Sequence, residues 1–212
     1  MPPEGAKKVP ALFDGMEEEA PESGEDAASP ADLIGHAAPA FSLATLDGGK
    51  AGLPVPGLTN AVVVLDFWAT WSGPSRKDLP FVAKLTAGYK DKGVVFYAVN
   101  EQEPEDRASD YLKKLGVSCT VALDRDGEVG GLYRVRGIPQ TVLIGKDGKI
   151  RAIHVGMVPD FEATLTHELN ILVEGKPLAD ATVAPEVKVT PEVKVTPEVI
   201  VTPAVKVTPQ EK

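Results

Sequence analysis

One segment, Trp71-Ser72-Gly73-Pro74-Ser75, constrains this chain more than any other. Residues 61–67 before it form a continuous apolar run broken only by Asp66, the mark of a strand buried on both faces. Residues 75–89 after it read as a helix, with Pro80 inside as an expected kink. The segment is therefore a tight turn that delivers a buried strand into the start of a helix. A cysteine at a helix N-terminus has its thiol acidity raised, and its thiolate can attack a disulfide. Both Ser72 and Ser75 carry hydroxyls, which are far weaker acids and cannot form a disulfide.

The surrounding region, residues 33–180, alternates strand-like and helix-like runs. Residues 41–43 and 51–53 flank Asp47-Gly48-Gly49, a hairpin signal. Residues 94–100 predict a second buried strand, 105–115 a helix stopped by Gly116, 120–123 a short strand and 128–133 a short helix. Residues 140–144 and 149–155 predict two strands joined at Lys146-Asp147-Gly148. Residues 159–173 predict a closing amphipathic helix with Pro159 in its first turn. Alternating β and α elements imply an α/β domain, a central sheet with helices on both faces. The late hairpin adds antiparallel strands, which makes the sheet mixed.

The two ends differ from this middle. Residues 1–32 hold nine acids and two bases among Pro, Ala and Ser, a composition expected of a disordered acidic arm. Residues 181–212 hold a low-complexity tail with a six-residue Pro-Glu-Val-Lys-Val-Thr period, restarting at Pro185, Pro191, Pro197, Pro203 and Pro209. A proline every sixth residue favours extended geometry, so this tail is expected to be a spacer.

Several function classes fall away on composition. The net charge of −9 is concentrated in the acidic arm and no basic patch appears, which argues against nucleic acid. Cys119 is the only cysteine, and His36, His154 and His167 lack ligand spacing, so no metal and no cofactor is expected. No apolar run is long enough for a transmembrane segment. No leader pattern follows Met1, which predicts a cytoplasmic chain.

The middle region resembles the redoxin branch of the thioredoxin superfamily, the TlpA-like thiol-disulfide oxidoreductases. The resemblance spans roughly residues 33–177. It is carried by Gly35-His36-Ala37-Ala38-Pro39-Ala40-Phe41-Ser42-Leu43 and by Leu65-Asp66-Phe67-Trp68-Ala69-Thr70-Trp71. Arg76-Lys77-Asp78-Leu79-Pro80 and Gly137-Ile138-Pro139-Gln140-Thr141 complete it, in the family's order. It implies a thioredoxin-like fold with an N-terminal β-hairpin and an inserted α/β element near residues 101–120. It also implies a cis-proline at Pro139 facing the turn. In the family pattern Ser72 and Ser75 occupy the attacking and resolving cysteine positions, so the site is degenerate and no catalytic residue is expected. The peroxiredoxin pattern Pro-x-x-x-Thr-x-x-Cys is absent as well, since Gly73 stands three residues after Thr70.

By the same resemblance, Asp66 matches the buried acid that exchanges a proton with the resolving cysteine. It is either a relic proton relay or a buried acid satisfied by a hydroxyl, water or Lys77. Trp68 reads as packing and Trp71 as an exposed contact residue. Three functions follow from the resemblance. One is a redox-inactive module holding an extended peptide or protein partner along Trp71, Gly73, Pro74, Ile138 and Pro139. Another is thiol-disulfide or antioxidant activity through Cys119 or a partner thiol. The third is a structural tether between the arm and the tail. Many relatives of this type work outside the cytoplasm, the alternative to the cytoplasmic reading.

Overall fold

A computed structural model describes residues 28–178. The repeat tail at 181–212 and most of the acidic arm lie outside the described residues. The arm's last residues, 28–32, lie within them. Pro30–Leu33 is a 3-10 turn capped by the Ser29 hydroxyl, and Arg134 Nη1 donates to Ser29 O at 2.9 Å and to Asp32 Oδ2 at 3.2 Å.

Strands β1 (Phe41–Ala44) and β2 (Lys50–Leu53) pair antiparallel as a separate two-stranded sheet. Five further strands form one mixed sheet: β3 (Val62–Trp68), β4 (Val94–Glu101), β5 (Thr120–Asp124), β6 (Gln140–Ile144) and β7 (Ile150–Val155). Their spatial order is β5-β4-β3-β6-β7. β3, β4 and β5 run parallel, whereas β6 and β7 are antiparallel to their neighbours. The helices are α1 (Gly73–Ala87), α2 (Glu105–Leu115), α3 (Glu128–Leu132) and α4 (Phe161–Val173). This is the expected α/β thioredoxin-like architecture, with the hairpin and the inserted α2–β5 element in place.

Strand β3 is central and every one of its seven residues is buried. Its two-residue period splits the core. Val63, Leu65 and Phe67 pack with Tyr97, Val99, Val129, Tyr133 and Ala51, beneath the hairpin and α3. Val62 and Val64 pack with Val82 of α1 and Leu165, Leu169 and Leu172 of α4. Trp68 and Leu79 pack with Ala108 and Leu112 of α2. Each fully buried side chain of this size contributes about 1.5–3 kcal/mol.

Helix α1 runs through Pro80. Proline has no N–H to give the carbonyl four residues back. That carbonyl, Arg76 O, instead accepts from Tyr111 Oη at 3.0 Å. The vacancy made by Pro80 thus becomes a tie between α1 and α2. Helix α2 stops at Gly116, left-handed at φ 63°. Helix α4 begins later than Pro159, because Asp160 before it is left-handed at φ 51°.

Candidate functional site

β3 ends at Trp68, and residues 69–72 turn the chain into α1. Ser72 is the N-cap of α1, with extended backbone and its Oγ accepting from Ser75 N at 3.2 Å. Serine is among the preferred caps because its oxygen satisfies a first-turn N–H. Ser75 Oγ donates to Ser72 Oγ at 2.9 Å, and Ser72 Oγ donates to Ile138 O at 3.2 Å. Both serines are buried. The two hydroxyls therefore form a directed chain that ends on the loop before β6. Among the described residues neither hydroxyl bonds Asp66 or any other carboxylate or imidazole.

The residues expected to form a groove surround this chain. Trp71 is 63% exposed, whereas Trp68 is fully buried against Tyr111. Gly73 and Ile138 are half-buried, Pro74 is exposed and Pro139 is buried. The Ile138–Pro139 peptide is cis. Pro139 O accepts from Gly156 N at 2.8 Å, which brings the end of β7 and the 49%-exposed Met157 beside the turn. Among the described residues the Ile138 N–H has no acceptor, so one strand-like donor is left on the rim.

Asp66 lies one layer below. It pairs in register with Thr141 of β6, whose Oγ1 donates to Asp66 Oδ1 at 3.0 Å. Burial pushes the carboxyl up to about 7; the Thr141 bond opposes the shift and the negative charge of Asp78 adds to it. Its partner is thus a hydroxyl, one of the alternatives left open by the sequence, and not Lys77. Cys119 is half-buried, and burial, with a further contribution from Asp66, pushes its thiol up to about 11. A thiol held that high carries little thiolate near neutrality and is a poor nucleophile.

Two buried acids behind the turn escaped the sequence reading. Glu103 accepts from Thr70 N at 2.9 Å, Thr70 Oγ1 at 2.6 Å and Asn100 Nδ2 at 2.5 Å. It thereby fixes the residue that leads into Trp71. Glu101 pairs across the sheet with Asp124. Burial, then the Asp124 charge and a hydrogen bond to it, pushes Glu101 up to about 8, so Glu101 holds a proton near neutrality. Asp124 in turn accepts from Gly130 N at 2.7 Å, and a Cβ on Gly130 would lie 2.7 Å from Glu101 Oε2. Residues 101–106 hold four acids in sequence, Glu101, Glu103, Glu105 and Asp106, and no local signal marks which of them turn inward.

Comparison with known proteins agrees with this geometry. The Redoxin family model matches residues 33–168. The chain is 35% identical over 117 residues to the thiol-disulfide oxidoreductase ResA of Bacillus cereus, covering 55% of this chain and 66% of that protein. A solved chain from Chlorobium tepidum, described as a thiol:disulfide interchange protein DsbE, superposes with TM-score 0.60 at 35% identity, covering 65% of this chain and 95% of that one. A solved thioredoxin-type chain from Neisseria meningitidis gives TM-score 0.57 at 32% identity, covering 65% and 89%. These matches overturn the cytoplasmic expectation, because ResA and DsbE proteins are characteristically extracytoplasmic. The expectation rested on a missing leader, and a leader is independent of the fold that follows it. No helix among the described residues is long and apolar enough to cross a membrane.

Proposed function

Because this chain belongs to the redoxin family while its turn lacks a Cys-x-x-Cys pair, we propose that it is a redox-inactive member that binds an extended peptide at the former active-site groove. The observation that carries this reading is the Ser75–Ser72–Ile138 hydroxyl chain at 2.9 and 3.2 Å. Serines in place of both cysteines keep the cap and the contact to the opposite loop while removing the electron-carrying dithiol. Disulfide exchange needs an attacking thiolate and a resolving thiol, and Cys119 is one half-buried thiol of weak acidity.

What remains can still bind. An exposed indole, the half-buried Ile138 and an uncommitted Ile138 N–H make a rim for a strand-like segment. The partner is a protein or peptide segment in extended form.

The first test is insulin reduction with dithiothreitol. The unmodified chain is expected to run at background, and the Ser72→Cys/Ser75→Cys double variant to gain activity, since cap and loop are retained. Activity in the unmodified chain would overturn redox inactivity. The second test is calorimetric titration with reduced, alkylated insulin B chain as an extended probe. Binding that weakens about tenfold in Trp71→Ala, on the order of 1.4 kcal/mol, is expected. Equal affinity in the two folded proteins would remove the groove from the function.

A further inference from the structure

The described residues begin and end at opposite ends of the sheet. The C-terminal end is held near the β6–β7 hairpin, where Lys146 Nζ donates to Val173 O at 2.5 Å. β6 runs away from the turn, starting beside Pro139 and ending before Lys146, so that hairpin is remote from Trp71. The N-terminal end behaves differently. Gly35 N donates to Ile150 O at 2.8 Å, at the remote end of β7. The chain traced backward from there meets Arg134 through Ser29 O and Arg136 Nη2 through Ala28 O, the latter at 3.0 Å. Arg136 is two residues from Ile138. The described chain therefore begins, at Ala28, beside Arg136 of the loop that leads to Ile138.

Charge separates the two candidate occupants. Residues 1–27 hold eight acids and two bases, whereas residues 181–212 hold four of each. The groove end carries bases. Arg76 stands in the first turn of α1, where there is no acid, and Lys77 follows it beside Asp78. Arg76 is exposed, donates through Nη1 to Thr70 O at 3.1 Å beside Trp71, and has no ion pair among the described residues. A cation at the start of a helix is opposed by the helix dipole, which leaves this spot favourable for an anionic partner.

The arm also carries the apolar residues such a groove would take. Val9-Pro10-Ala11-Leu12-Phe13 precedes Asp14, and Glu17, Glu18 and Glu19 follow. Fourteen residues separate Phe13 from Ala28. As a free chain they span roughly 20 Å, a reach that matches departure from the same end of the domain.

We propose that the chain's own N-terminal arm occupies the groove, with Leu12 and Phe13 against Trp71 and Ile138 and Glu17–Glu19 toward Arg76. This rests on the groove reading above and adds regulation to it: the arm is an intramolecular competitor that any partner must displace. A short tether supplies an effective concentration on the order of millimolar, so a weakly binding arm still closes the site.

Acrylamide quenching of tryptophan fluorescence in the full chain reads this directly, since Trp68 is buried and Trp71 carries the accessible signal. The comparison variant is Leu12→Ala/Phe13→Ala/Glu17→Lys/Glu18→Lys/Glu19→Lys in the same full chain. Quenching is expected to rise about twofold or more in that variant, and its affinity for alkylated insulin B chain to rise roughly threefold or more. A synthetic peptide of residues 8–20 is expected to restore protection, and to do so less well when Arg76→Glu is added. Equal quenching of the two chains, with no protection by the peptide, overturns the inference. Protection that grows with protein concentration places the arm on a second copy and overturns the intramolecular form. If the variant binds B chain but not the arm peptide, the inference falls and the groove reading stands. If it binds neither, both fall. If it binds the arm peptide alone, the groove belongs to the arm and the partner reading falls.

Discussion

Replacing Asp66 by Asn should make the protein more stable in mild alkali and leave it unchanged in acid. Asp66 is fully buried on the central strand, with one oxygen bonded to Thr141 Oγ1 at 3.0 Å and Oδ2 without a partner among the described residues. In the unfolded chain its carboxyl titrates near ~3.9. Folding raises this to about 7, chiefly by burial. Between those values the folded state keeps a proton that the unfolded state has lost. Unfolding free energy therefore falls as pH rises, by about 1.4 kcal/mol per unit for one proton. The stabilising preference is complete below the unfolded value and is lost as pH passes through about 7. Three units of separation give on the order of 4 kcal/mol, an upper bound because hydration and relaxation soften the buried charge. Asn has the shape of the neutral acid, and its oxygen can still accept from Thr141. Urea unfolding of both proteins from about pH 3 to about pH 9 tests this. The curves should coincide at the acid end and part by about 2–4 kcal/mol at the alkaline end, with the variant more stable. Glu101, raised to about 8 by burial and Asp124, gives both proteins a similar fall, so the difference between the curves isolates Asp66. Parallel curves across the range would refute the argument that burial holds this carboxyl neutral.

Other substitutions probe the supports of the turn. Glu103→Ala leaves Thr70 N and Thr70 Oγ1 without their acceptor and Asn100 Nδ2 with only the 3.5 Å bond to Trp68 O, and should cost about 2–3 kcal/mol in urea unfolding. A loss within error would mean that water replaces the carboxylate at no cost. Tyr111→Phe removes the donor to Arg76 O and should cost about 1 kcal/mol. In a Pro80→Ala background the restored N–H supplies a donor of its own, so the same change should cost less; a double-mutant cycle with no coupling would remove the link between Pro80 and Tyr111.

Much of this fold is legible in sequence because burial leaves a local record. The run at 61–67 reads as a doubly covered strand, and that is β3. Gly116 ends α2 as its position after an amphipathic run predicts. The Ser72–Ser75 turn is visible because a buried strand, Gly73-Pro74 and a helix follow one another directly. Each of these depends on residues within one or two turns of chain.

Polar partners were decided by assembly. Ser72 bonds to Ile138 O across 66 positions, Asp66 to Thr141 across 75 and Tyr111 to Arg76 O across 35. Glu101 and Glu103 look like their neighbours Glu105 and Asp106, yet the first two are buried and the last two exposed. A hydrogen bond needs its donor and acceptor within about 3 Å and suitably aimed, and only the packed sheet and helices set that distance. Hydrophobic periodicity records which side of each element is covered. It carries no record of which polar atom waits on the other side of the interface, and that is what the tertiary structure supplied.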